Sequence, residues 1–122
     1  MSSRPHNRFP HARLDAWGVA IELATQAQLL CEQMPRGNAP LADQLRRAAM
    51  SVCLNLAEGA GRWTPKDKAH RFAIARGECG EVAAAIDVAV AMKALPAGAG
   101  ERAIVLADRE AAMLTRLIQR CR

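Results

Sequence analysis

Residues Gln44 to Arg62 read QLRRAAMSVCLNLAEGAGR, and this stretch decides the fold. Leu41, Leu45, Ala48, Val52 and Leu56 recur at intervals of three and four, the spacing of one buried helical face. Gln44, Arg47, Ser51, Asn55, Glu58 and Arg62 recur in the same way and form a polar seam beside that face. Met50 and Leu54 point away from both lines. A helix apolar on its back as well as its front has a second surface to bury, so Met50 and Leu54 are the expected contacts of a homo-oligomer.

Working outward from this helix, the chain divides at its breakers. Residues 1–13 read as a basic, mobile arm with Pro5 and Pro10. A first helix is predicted from about Leu14 to Met34, with Trp17, Ile21, Ala24, Leu30 and Cys31 inward. The run Pro35 to Pro40 reads as a turn. The second helix is predicted over 41–60, closed by a left-handed glycine cap at Gly59-Ala60-Gly61. Thr64-Pro65-Lys66-Asp67 is a start signal, with a threonine cap, proline in the first turn and an acid at the third position. The third helix then runs to about Leu95 on a stripe of Phe72, Ala75, Cys79, Val82, Ile86 and Ala89. Pro96 to Gly100 is a break. The fourth helix is predicted over 101–121, with Ile104, Ala107, Ala111, Leu114, Ile118 and Cys121 inward. Four amphipathic helices with short links predict one domain, residues 14–122, folded as an antiparallel up-down-up-down bundle.

Composition agrees. The chain has 122 residues, enough for one core. It is 51% hydrophobic yet only 3% aromatic, with no tyrosine, which suits close-packed helices better than sheets. Charges interrupt every apolar run, so no membrane span is expected, and no apolar signal segment opens the chain. A cytoplasmic protein is the expectation. Cys31, Cys53, Cys79 and Cys121 are scattered, without a C-x-x-C pair, and read as reduced core thiols. They share no ligand spacing with His6, His11 or His70, so neither metal nor cofactor is expected.

The formal net charge is +5, with fourteen arginines against three lysines. That bias favours contact with anions, either phosphate backbones or an acidic partner. Arg102, Arg109, Arg116 and Arg120 fall within about 40° on a helical wheel and form a row able to track phosphates. Lys66 and Lys68 extend the candidate nucleic-acid surface. The plain alternative is a solvated face, with Glu101, Asp108 and Glu110 nearby. The polar seam likewise has two readings: a device fixing helix register and the turn into the third helix, or a ligand or RNA site. The few aromatics argue against base stacking as the mode of recognition. The sequence contains no G-x-S-x-G elbow, H-E-x-x-H pair, P-loop or dinucleotide fingerprint. Arg62 and His70 are too far apart for the arginine–histidine pair of HEPN-type RNases. No enzymatic activity is expected.

QLRRAA followed by S-V-x-x-N-L-A-E-G at Ser51 to Gly59 resembles the signature of the bacterial four-helix-bundle proteins encoded in intervening sequences of 23S ribosomal RNA genes. Leu14-Asp-Ala-Trp17 and the segment from Phe72 through Ala75-Arg76-Gly77 to Glu81 extend the likeness. Cys53-Leu54 stands where relatives often carry a proline. The resemblance assigns Arg46, Arg47, Ser51, Asn55, Glu58, Gly59 and Arg62 to the family motif and implies a ring-shaped homopentamer. Together, charge and resemblance lead us to expect a non-enzymatic oligomeric scaffold that binds RNA or DNA mainly through phosphates. A more distant similarity, to the accessory protein of diversity-generating retroelements, implies a reverse transcriptase as an alternative partner. A protein-interaction module without a nucleic-acid role is the third reading.

Overall fold

Alanine-rich stripes let helices approach closely, and the structure is all-helical. The computed structural model describes residues 8–122, so Met1–Asn7 of the expected arm lie outside the described residues. A 3-10 turn at Pro10–Arg13 leads into α1 (Asp15–Gln33), α2 (Ala39–Gly61), α3 (Pro65–Ala91) and α4 (Glu101–Arg120). No strand occurs among the described residues. The core is aliphatic, centred on Leu23, Leu45, Val52, Leu56, Val82, Ile86, Leu106 and Leu114.

Sulfur and polar contacts register the helices. Cys31 Sγ donates to the Ala42 carbonyl and Cys53 Sγ to that of Ala20, tying α1 to α2. Arg47 meets Glu81 and Arg71 meets Asn55 across α2 and α3. Arg76 donates to Thr115 between α3 and α4, and Arg102 pairs with Glu22 between α4 and α1. In each set that has two contacts, partner numbers fall in one helix as they rise in the other.

The helix boundaries differ from expectation where packing overrides local signals. Pro40 lies inside the first turn of α2, where a missing N–H costs nothing, so the helix starts at Ala39. The expected left-handed cap at Gly59–Gly61 does not form. Arg62 is extended, with φ −73° and ψ 158°, and its amide donates to the Gly59 carbonyl. Gly59 is there for a different reason: a Cβ would stand 2.7 Å from the Phe72 ring, so glycine lets α3 close onto α2. The start of α3 matches its signal, with the Asp67 amide donating to Thr64 Oγ1 at 3.1 Å.

α3 stops at Ala91, four residues short of the expected Leu95. Lys93 takes φ 61°, and the amides of Ala94 and Leu95 both donate to the Ala89 carbonyl. This reversal turns Ala94 and Leu95 into the core, which a continued helix would not do. Ile21, expected inward, is 37% exposed, because the buried face of α1 is centred on Val19, Leu23, Ala27 and Leu30. The α4 face is also rotated. Its buried residues are Ala103, Leu106, Ala107, Glu110 and Leu114, while Ile104, Ala111, Ile118 and Cys121 sit on the flank.

Candidate nucleic-acid interface

The seam of α2 forms a polar ladder against α3. Arg47 donates to Glu81 at 2.6 Å and lies 3.7 Å from Glu78. Ser51 Oγ donates to Glu78 at 3.2 Å and accepts from Asn55 Nδ2 at 2.9 Å. Arg71 reaches both Asn55 and Glu58, and Arg62 donates to Glu58 at 3.0 Å. Arg47 also donates to Gln44 at 3.1 Å, and Arg46 bridges Asp43 and Gln28 instead. Each motif side chain is therefore engaged within its own helix or with a neighbouring one. Most are half-exposed, so each ion pair contributes little alone, about 0–1 kcal/mol. Their joint effect is to fix the α2–α3 register over four turns.

The candidate cations divide. Arg102, in the first turn of α4, is committed to Glu22, and Arg109 is exposed beside Asp108. Arg116 and Arg120 instead share a cleft with Leu14, Asp15 and Leu117 at one end of the bundle. Lys68 reaches the same end but donates to the Ala60 carbonyl at 2.9 Å, serving the C-terminus of α2. Lys66 is exposed on the first turn of α3. Arg13, Lys66, Arg116 and Arg120 make no ion pair within 4.0 Å among the described residues.

A second cleft shows which segments meet at this end. Pro10, Leu14, Ala60, Pro65, Phe72, Leu117 and Cys121 line it, with Lys68 and Arg120 beside them. Residues 8–16, 57–72 and 113–122 thus form one end of the molecule. Their side chains include nine arginines and lysines against three acids, an excess of six. The other described residues carry seven bases against nine acids. The positive charge of the described residues is therefore concentrated at one end, and the helix-four row contributes only its last two members to it.

The same end presents aromatic rings. Trp63, in the link between α2 and α3, is 95% exposed, and Phe9 is 70% exposed. Phe9 stacks on His11 with ring centres 6.2 Å apart, and His11 meets the edge of Trp17 at 4.4 Å. Aromatics are few, and only the packing of the helices brings these to one end.

The deep interior holds a different surprise. Glu110, read from sequence as part of the solvated face, has 0% exposure. Neither of its carboxyl oxygens has a hydrogen-bond partner among the described residues. Burial pushes its pKa up to about 8, so the group is held largely protonated at neutral pH. Burial, with Glu110 nearby, also raises the thiols of Cys53 to about 11 and Cys79 to about 12. Thiols so raised are poor nucleophiles. Among the described residues, no three metal-binding side chains are grouped to hold an ion. No helix there is long and apolar enough to cross a membrane.

Residues 12–116 match the family model described as 23S rRNA-intervening sequence protein. No curated protein matches the chain.

Proposed function

The chain belongs to the 23S rRNA-intervening sequence protein family, and we propose that it acts without catalysis, as a basic scaffold that holds nucleic acid by its phosphates. One observation carries this reading: the excess of six positive side chains gathered at one end of the helices. Such a patch attracts polyanions over roughly a Debye length and releases counterions on contact. The seam is better suited to holding α2 and α3 in register than to ligand binding, because its polar groups, apart from the buried Oε1 of Glu78, already bond to one another.

The scaffold is an antiparallel bundle assembled as a ring of identical subunits. Met50 at 52% exposure and Leu54 at 59% supply the contact between copies. A ring repeats the basic end around its axis, so modest contacts combine through effective concentration. Fluorescence polarisation with a labelled structured RNA tests this. Arg116→Ala/Arg120→Ala weakens binding, and Arg102→Ala/Arg109→Ala leaves it close to wild type. Absence of binding at low salt rejects the reading.

A further inference from the structure

We propose that the basic end selects single-stranded over duplex nucleic acid, stacking an unpaired base on Trp63. The proposal rests on the phosphate-binding reading above and adds what distinguishes one polyanion from another.

Trp63 has no structural task that explains its identity. It stands in the three-residue link between α2 and α3, almost fully exposed, and Thr64 alone caps the following helix. A tryptophan in this state leaves most of a large apolar face in water, and that cost is relieved only when something planar or apolar covers it. Two cations flank the link in sequence: Arg62, paired with Glu58, precedes the ring, and Lys66 follows within one turn. The cleft at this end of the molecule has Ala60, Pro65 and Pro10 in its walls. The cleft holds about 280 Å³, with an apolar floor and Lys68 and Arg120 as its charged members. That is at the lower edge of ligand-pocket sizes, roughly 300 Å³ and upward, and suits one planar ring system.

Charge and rings together decide the occupant. An acidic peptide would satisfy the cations but has no series of planar rings. A duplex supplies phosphates, but its bases are already stacked and hide their faces. A single strand offers both along one chain, which is how sequence-tolerant single-strand binders combine basic grooves with aromatic platforms.

The test measures anisotropy of a short labelled oligouridylate and of an RNA duplex of equal length, over a salt series. Wild type, Trp63→Ala and Arg116→Ala/Arg120→Ala are compared, and Trp63→Ala is also sedimented. Trp63→Ala is expected to weaken single-strand binding about tenfold, in line with one lost stacking contact, with duplex binding and the salt slope unchanged. In Trp17→Phe, where Trp63 is the sole indole, the oligouridylate is expected to quench fluorescence. Equal affinity for strand and duplex, with Trp63→Ala without effect, would overturn stacking while leaving phosphate binding in place. No salt-dependent binding by wild type would remove both. A changed sedimentation coefficient for Trp63→Ala would also overturn the proposal, because the ring would then be covered by another copy of the chain.

Discussion

Replacing Glu110 by glutamine should make this protein more stable, and increasingly so as pH rises. The carboxyl is buried without partners, and its pKa is raised from 4.5 to about 8. Between those values the folded chain keeps a proton that the unfolded chain has released. Stability on account of this group is therefore greatest below about pH 4.5 and falls as pH rises to about 8, by about 1.4 kcal/mol per unit. Above that the loss levels off at roughly 5 kcal/mol. At pH 7 it amounts to about 3 kcal/mol, a large part of a typical domain's 5–15 kcal/mol. Glutamine keeps the shape and does not titrate. Its amide is left as poorly bonded as the neutral acid, so the gain comes from removing the protonation penalty. Urea unfolding at pH 5, 6, 7 and 8 reads the effect. The thiols of Cys53 and Cys79 are common to both chains and are raised further on folding, so the difference between the two profiles reports Glu110. The wild-type profile should fall away from that of Glu110→Gln by about 1.4 kcal/mol per unit. Parallel profiles would refute the reasoning.

Three other variants follow from the fold. Gly59→Ala places a methyl 2.7 Å from the Phe72 ring and should cost about 1–3 kcal/mol in thermal or urea melts; no loss would mean that α3 yields freely. Lys93→Gly relieves a left-handed lysine at φ 61° and should gain about 0.5–1 kcal/mol, read by the same melts. Met50→Glu/Leu54→Glu should lower the sedimenting mass while leaving helical circular dichroism unchanged, because both side chains are exposed on the single chain. An unchanged mass would remove this face from the assembly.

Much of this structure is legible along the sequence because helices repeat locally. The α3 stripe from Phe72 to Ala89 is buried at every position read from its spacing. The α2 seam was visible for the same reason, and its partners Glu78, Glu81 and Arg71 lie on the helix that follows. The Thr64 cap needed only four residues to recognise. Glu110 had a signal too: Ala103, Leu106, Glu110 and Leu114 keep helical spacing. Charge argued for solvent there, and packing prevailed. The end of α3 had no nearby breaker, since no glycine or proline intervenes between Ala91 and Pro96. What stops it is the burial of Leu95, a tertiary demand. The charged end was hidden for a related reason. Arg13, Lys66 and Arg120 are far apart in sequence and come to one end only once the helices pack.

The central claim, that phosphates are held at the bundle end and not along α4, is tested most directly by salt dependence. Binding of a labelled RNA duplex is measured across a salt series for wild type, Arg116→Ala/Arg120→Ala and Arg102→Ala/Arg109→Ala. Each phosphate contact adds about −0.9 to the slope of log affinity against log salt. The account predicts a slope shallower by about two for the Arg116/Arg120 variant and nearly unchanged for the Arg102/Arg109 variant. Equal losses from the two variants, or binding indifferent to salt, would contradict it.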